Sequence, residues 1–119
     1  MIVAFDFHGS VDVQPNLRAL AQALLGAGND CHVISAIGHE SHKDTINWRL
    51  EQIGIPWSGV HFVIFPRPLT VGGAVEWELG NMKADIMAKI GATILFDDNP
   101  YICKAVRARG YSCFFVGAL

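Results

Sequence analysis

The chain has almost no surplus of charge of either sign. Its 119 residues contain nine Lys and Arg against eleven Asp and Glu, so the formal net charge is only -2. Proteins that bind nucleic acids through their bulk charge usually carry a clear excess of basic residues. The charge balance therefore does not indicate a nucleic-acid partner. It leaves open a partner that is itself phosphorylated.

The sequence also lacks paired cysteines and long apolar segments. Its three cysteines, Cys31, Cys103 and Cys113, are far apart and show no Cys-x-x-Cys spacing, which favours buried reduced thiols. No apolar run approaches the ~18 residues of a membrane span, and the N-terminus has no basic region followed by an apolar helix and a cleavage site. We therefore expect a soluble, cytoplasmic protein without a membrane partner.

The composition is that of an ordered globular protein. Apolar residues make up 51% of the chain and charged residues 17%, which predicts a single domain over residues 1–119. Short runs rich in Val, Ile and Phe predict strands over residues 2–7, 31–35, 60–65, 93–96 and 112–116. These runs are mostly continuous rather than alternating, which is typical of strands covered on both faces.

Helical patterns lie between the predicted strands. Pro15 can open the first helix, which Gly26 and Gly28 close, and the others are predicted over residues 41–53, 79–90 and about 100–110. Strict alternation of strands and helices predicts a three-layer, Rossmann-like α/β fold, with about five mostly parallel strands and helices on both faces. In such sheets ligands bind beyond the carboxyl ends of the strands.

Polar side chains are expected at that edge of the sheet. Asp6 follows the first predicted strand, Ser35 ends the second, Asp97 and Asp98 follow the fourth, and Lys83 is predicted near the start of the third helix. Each alone could simply cap a turn or face solvent. Together they are the groups that phosphoryl transfer needs, because carboxylates can attack phosphorus and hold Mg²⁺ while an ammonium and a hydroxyl bind the phosphoryl oxygens.

The order of these motifs resembles the haloacid dehalogenase superfamily of phosphohydrolases. The four matching segments are "AFDFHGSV", "VISAIG", "NMKADIMAKIGA" and "ILFDDNP". The resemblance implies a Mg²⁺-dependent phosphomonoester hydrolase in which Asp6 becomes an aspartyl-phosphate. It also implies that Ser35 and Lys83 bind the phosphoryl oxygens. Mg²⁺ would be held by Asp6, the main-chain carbonyl of His8 and Asp97, with Asp98 assisting directly or through water.

One position departs from the pattern of the superfamily. Its phosphatases usually carry an aspartate as acid and base two residues after the nucleophile, where this chain has His8. An imidazole can transfer protons near neutral pH. The alternative is a catalytically weak protein that binds metal and a phosphorylated ligand or a partner. A phosphoryl-accepting receiver domain is disfavoured, because receivers carry the acidic pair after the first strand rather than the fourth.

Members of the superfamily often insert a cap domain, but the spacing of the matching segments predicts that none is present here. Only 29 positions separate Asp6 from Ser35 and 48 separate Ser35 from Lys83, which the predicted elements nearly fill. The substrate of such an open site could be a small molecule or a macromolecular end, and a second copy of the chain could cover it. Residues 66–78 form the best substitute for a cap, with Arg67 to meet a substrate anion and Trp77 to stack on a ring. The same stretch could equally be a packed surface loop with Trp77 tucked into the core.

Four of the histidines are predicted to lie outside the catalytic chemistry. His39 and His42 flank Glu40 without the spacing of a zinc-protease motif and are expected near the start of the second helix. His32 and His61 fall within predicted strands and are expected to be structural.

Overall fold

The computed structural model describes residues 1–68 and 72–117. Strands and helices alternate along the chain in the order β1 (Ile2–Phe5), α1 (Pro15–Gly26), β2 (Asp30–Ile37), α2 (His42–Ile53), β3 (Gly59–Ile64), α3 (Ala74–Ile90), β4 (Ile94–Asp97), α4 (Pro100–Ala108) and β5 (Ser112–Phe115). Every predicted strand and helix forms. The predicted α/β alternation is therefore confirmed, with differences at the ends of the elements.

The five strands form one parallel sheet in the order β3-β2-β1-β4-β5. Strands β2 and β3 lie on one side of β1, and strands β4 and β5 lie on its other side. The order of the strands therefore reverses beside β1, between β1 and β4. Crevices at such a switch point are the usual ligand sites of parallel sheets.

Helices cover both faces of this sheet. Val3 and Phe5 of β1 belong to a buried cluster with residues of α1 and α2, whereas Ala4 belongs to a cluster with residues of α3 and α4. The alternation follows from the two-residue repeat of side chains along a strand. The fold thus has the three layers predicted from sequence. No cap domain is inserted between the described elements, and each described helix is too short or too polar to cross a bilayer.

Helix α3 differs most from its prediction. It begins at Ala74, five residues before the predicted start at residue 79. The Gly-Gly pair suggested a loop, but Gly73 precedes the helix with φ of 80° and Val75 already packs on its buried side together with Leu79. Lys83 consequently lies in the middle of the helix, and its predicted place at the helix start is wrong. Of the predicted loop 66–78, residues 69–71 lie outside the described residues.

Candidate functional site

Two acidic residues meet at the carboxyl ends of the central strands. Asp6 directly follows β1 and Asp97 is the last residue of β4. The two strands are neighbours in the sheet, and the backbone N–H of Asp6 donates to the carbonyl of Phe96 at 2.8 Å. Both side chains are buried, with relative exposures of 5% for Asp6 and 0% for Asp97. The parallel pairing of β1 and β4 therefore brings the two carboxyl groups together, as predicted from sequence.

Lys83 joins these two carboxylates from the helix layer. Its Nζ donates to Asp6 Oδ1 at 2.7 Å and to Asp97 Oδ2 at 2.8 Å, and its side chain is fully buried. A buried ammonium is stable only where acceptors replace its lost hydration. Helix α3 provides this position because its buried face packs on the same side of the sheet as Ala4 and Leu95.

The charge balance at this point perturbs all three groups. Burial, with a smaller contribution from the neighbouring Asp98, raises the pKa of Asp6 to about 6 against the opposing effect of Lys83. Burial likewise raises the pKa of Asp97 to about 6, with Lys83 opposing and Asp6 adding to the shift. Burial by itself would lower the pKa of Lys83, but the two carboxylates outweigh it and leave that pKa raised. A single ammonium therefore does not compensate all of the buried negative charge.

Further hydrogen bonds orient the two carboxylates. Ser10 Oγ donates to Asp6 Oδ2 at 3.1 Å, and the backbone N–H of Asn99 donates to Asp97 Oδ1 at 2.9 Å. The sequence shows Ser10 in the first motif but assigns it no role. Its position four residues after Asp6, in a tight turn, is the signal that could have indicated the contact.

Asp98 completes a group of three carboxylates that could hold a cation. One oxygen from each of Asp6, Asp97 and Asp98 lies within 4.8 Å of the others. Mg²⁺ binds oxygen ligands at about 2.1 Å, so opposite ligands are at most roughly 4.2 Å apart. A small inward movement of the three side chains would therefore suffice. Gly9 allows the close approach of Asp98, since a Cβ at position 9 would overlap Asp98 Oδ2.

The side chain of His8 is more exposed than the carboxylates. Its exposed fraction is 62%, and its Nδ1 lies 4.0 Å from Asp12 Oδ2. His8 nevertheless lines the same cavity as Asp6, Asp97 and Asp98. The structure thus places His8 at the mouth of the site, where an imidazole can reach both a bound molecule and solvent.

Ser35 does not lie where the sequence places it. Strand β2 continues to Ile37, so Ser35 lies inside the strand rather than at its end. Val33 and Ile37 pack with α1 and α2, and Ser35 has the same alternation and therefore faces that layer. Its buried Oγ has no hydrogen-bond partner among the described residues. The residue of β2 that lines the cavity is Ala36.

The predicted substitute for a cap is built differently from the expectation. Arg67 donates to Glu78 Oε2 at 2.6 Å, with both side chains half-exposed, and it does not line the cavity formed by the described residues. Trp77 belongs to α3 and is 42% exposed, so it is not tucked into the core. Neither residue is brought to Asp6 by the described part of the chain.

Glu76 is a cavity residue that the sequence interpretation missed. It lies in the first turn of α3 and lines the cavity, and its Oε2 is buried without a hydrogen-bond partner among the described residues. Glu76 was missed because α3 was predicted to start at residue 79, which left residue 76 in a loop. Once residues 76 and 83 share one helix, their separation of seven residues, about two turns, puts Glu76 and Lys83 on the same face.

The remaining histidines are away from the cavity. His32 Nδ1 and His61 Nε2 form a hydrogen bond of 3.0 Å between β2 and β3, and burial lowers the pKa of His61. These two are satisfied structural residues, as predicted. His39 pairs with Ser41 in an exposed segment before α2.

Comparisons with known proteins establish the fold. No family model and no curated protein sequence matches the chain. Among solved structures, the chain is similar to D,D-heptose 1,7-bisphosphate phosphatase from B. bronchiseptica, complexed with magnesium and phosphate, with a TM-score of 0.70 and 13% identity over 96% of this chain and 79% of that one.

Two further structures share the fold. A universal stress protein in complex with cAMP matches with a TM-score of 0.63 and 12% identity over 100% of this chain and 98% of that one. A chain of the Pnkp1/Rnl/Hen1 RNA repair complex matches with a TM-score of 0.65 and 14% identity over 98% of this chain and 42% of that one. At these identities the likeness concerns the backbone alone: the chain has a Rossmann-like α/β fold, which these three structures share.

Proposed function

We propose that the chain is a Mg²⁺-dependent phosphomonoester hydrolase that acts through an aspartyl-phosphate on Asp6. The observation that carries the proposal is the buried group at the ends of β1 and β4. There Lys83 bonds to both Asp6 and Asp97, and Asp98 lies beside them in an open cavity. The likeness in fold to a phosphatase solved with magnesium and phosphate supports it as an analogy.

The carboxylates of Asp6, Asp97 and Asp98 and the main-chain carbonyl of His8 would hold the metal. When bound, Mg²⁺ neutralises carboxylate and phosphate charge. The oxygen-only donor set suits such a hard cation, and burial, the main cause of the raised pKa of Asp6 and of Asp97, is a cost that a bound cation would offset.

Asp6 and Lys83 have different roles in the proposed reaction. In its ionised form Asp6 directs a carboxylate oxygen at phosphorus, which forms the aspartyl-phosphate as the bond from phosphorus to the leaving oxygen breaks. Lys83 supplies positive charge where the phosphoryl group arrives. The pKa of Asp6 is about 6 without a bound cation, and bound Mg²⁺ would lower it. Protonation of Asp6 at acidic pH would remove the attacking carboxylate. We therefore expect activity to fall on acidification.

His8 is the candidate for proton transfer. It would give a proton to the leaving oxygen, and in its neutral form it would then take a proton from the water that hydrolyses the aspartyl-phosphate. Its place at the mouth of the cavity gives it access to solvent for this exchange. The oxygens of the phosphate would be met by Lys83 and by the backbone, since Ser35 faces the other layer and Arg67 pairs with Glu78.

A second candidate function is a protein that binds metal and a phosphorylated ligand with little turnover. Two observations favour it: the exposed His8 stands where phosphatases of the superfamily usually have an aspartate, and Ser35 is absent from the described cavity wall. A second copy of the chain covering the open site remains part of either proposal.

Hydrolysis of phosphate esters separates the two functions. Phosphorylated nucleotides, sugars and nucleic-acid ends would be screened with Mg²⁺ for release of inorganic phosphate. For the hydrolase, Asp6→Asn should abolish release while the circular dichroism spectrum is kept, and Asp30→Asn, at the exposed start of β2, should not. His8→Ala should lower turnover by roughly 10²- to 10⁴-fold.

Two results would contradict the hydrolase. Wild-type turnover in Asp6→Asn would exclude the covalent mechanism. Alternatively, an inert wild type that gains activity only as His8→Asp would favour the binding protein.

A further inference from the structure

We propose that Glu76 is a specificity-determining residue, which selects phosphate esters whose leaving group carries an ammonium group. The inference rests on the proposed phosphate-binding function of the cavity. It adds the chemical class of the molecule that is bound there. Three features carry it: the place of Glu76 in the cavity wall, its unpaired oxygen, and the charge of the cavity as a whole.

The cavity has a polar floor and a mostly apolar wall. Its volume is about 200 Å³, and the floor contains the carboxylates of Asp6, Asp97 and Asp98 together with Lys83. The rest of the lining consists of four apolar side chains and three polar ones: Ala36, Phe65, Leu79 and Ile102, and His8, Glu76 and Asn99. A phosphate on the floor would therefore direct a short leaving group along apolar surface.

Glu76 is the acidic residue of that wall. It lies two helical turns before Lys83 on the same face of α3, and both residues line the cavity. A leaving group that extends from a phosphate beside Lys83 would run along this helix face toward Glu76. Glu76 would therefore contact the leaving group rather than the phosphoryl group.

Glu76 also has an unused acceptor. Its Oε2 is buried and has no partner among the described residues. A carboxylate oxygen that has lost water without gaining a donor costs free energy, and a turn of the Glu76 carboxylate toward an N–H group of a bound molecule would recover it. A hydrogen bond between a carboxylate and an ammonium is stronger than one between neutral groups.

The charge of the cavity favours a cationic group over a second anion. The described lining contains four carboxylates, of Asp6, Asp97, Asp98 and Glu76, and among its cations only Lys83. With one divalent metal and His8 in its neutral form, the negative charge of these side chains still exceeds the positive charge. Arg67, which could have met an anion, instead pairs with Glu78. A leaving group with a carboxylate or a second phosphate would therefore be repelled at the wall.

Two esters of nearly equal size test the inference. O-phosphoethanolamine carries an ammonium two carbons from the ester oxygen, and phosphoglycolate carries a carboxylate there. Their dissociation constants would be measured by titration calorimetry in Mg²⁺, in the full chain with Asp6→Asn to stop turnover. Binding is thereby measured independently of hydrolysis. Failure of the proposed hydrolase would not prevent the comparison.

The expected result is tighter binding of O-phosphoethanolamine. Glu76→Gln keeps the shape of the side chain and should reduce the preference by about tenfold to a hundredfold, the value of one charge-assisted hydrogen bond. Glu76→Lys should reverse it in favour of phosphoglycolate. The matched control is Glu78→Gln, on the same helix but paired with Arg67 outside the cavity lining, which should leave the preference unchanged.

An unchanged preference in Glu76→Gln would overturn the inference, as would equal binding of the two esters by the protein with intact Glu76. A loss of Mg²⁺ affinity in Glu76→Gln with an unchanged ester preference would also overturn it, because Glu76 would then serve a second cation. Release of phosphate by the wild type is recorded separately, so absent hydrolysis refutes the proposed enzyme and not the role of Glu76.

Discussion

Replacing Lys83 with Met tests the charge balance on which the site depends. The substitution keeps a long unbranched side chain with similar helix propensity and removes the ammonium. In the native protein that ammonium lies 2.7 Å from Asp6 Oδ1 and 2.8 Å from Asp97 Oδ2, and the three side chains are at most 8% exposed. The variant leaves two buried carboxylates without their cation.

The size of the effect follows from this burial. Removing one partner of a buried ion pair typically costs about 3–5 kcal/mol. An unfolding entropy of roughly 2.1 cal/mol/K per residue gives about 250 cal/mol/K for a chain of this length, so each kcal/mol lowers Tm by about 4 °C. We therefore expect Lys83→Met to unfold about 12–20 °C below the wild type near pH 8.

The pH dependence distinguishes lost charge from lost packing. The pKa of Asp6 and of Asp97 is about 6 in the folded protein against an ordinary value of 3.8, and Lys83 holds both down. Without Lys83 both pKa values rise further. A carboxyl group with a raised folded-state pKa binds its proton more tightly in the folded protein, so stability is lost as pH rises through that pKa. The deficit of Lys83→Met should therefore shrink near pH ~5, where the carboxyl groups are protonated.

Thermal unfolding followed by circular dichroism, with a chelator and at about pH 5 and about pH 8, measures this difference. The control is Lys89→Met, an exposed lysine on the same helix, which should change stability by less than about 0.5 kcal/mol. Equal losses of Tm at both pH values in Lys83→Met would refute the argument from charge. A loss of Tm in Lys83→Met no larger than that in Lys89→Met would show that the ion pairs of Lys83 with Asp6 and Asp97 do not stabilise the fold.

Two further predictions concern the metal site. Without divalent cations the wild type should lose stability as pH rises from about 5 to about 8, because the folded-state pKa of Asp6 and of Asp97 is raised. Mg²⁺ at a hundredfold excess over its dissociation constant should restore about 2.7 kcal/mol. A Tm indifferent to Mg²⁺ at about pH 8 would contradict the site. Gly9→Ala should cost roughly 1–3 kcal/mol and weaken Mg²⁺ binding, since φ is 73° and the new Cβ overlaps Asp98. Wild-type Mg²⁺ affinity in that variant, by calorimetry, would show that Gly9 does not position Asp98.

Much of the fold was predictable because its signals are local. Continuous apolar runs, Pro15 and the closing glycines identify the strands and helices, and strict alternation then predicts a parallel sheet with two helix layers. The same logic predicted that Asp6 and Asp97 meet. Their place follows from the ends of two strands, and parallel strands share one carboxyl edge.

The predictions differ from the structure at the ends of two elements, β2 and α3. Strand β2 runs two residues past Ser35, and this shift decides that Ser35 faces α1 and α2 while Ala36 lines the cavity. Helix α3 begins five residues earlier than predicted, and this decides that Glu76 shares a face with Lys83. In both cases the sequence signals are weak, because the Gly-Gly pair before α3 and the short Ala-Ile-Gly stretch after Ser35 fit either state.

The sequence by itself determined the type of fold, the order of its elements and the carboxylates that the central strands carry to one edge. Only the tertiary structure decided that Lys83 bonds to Asp6 and Asp97, that Arg67 pairs with Glu78, and that Glu76 enters the cavity. The physical reason is that periodicity and turn chemistry act between near neighbours in the chain. Partners such as Asp6 and Lys83, 77 residues apart, are chosen by how helices and sheet pack.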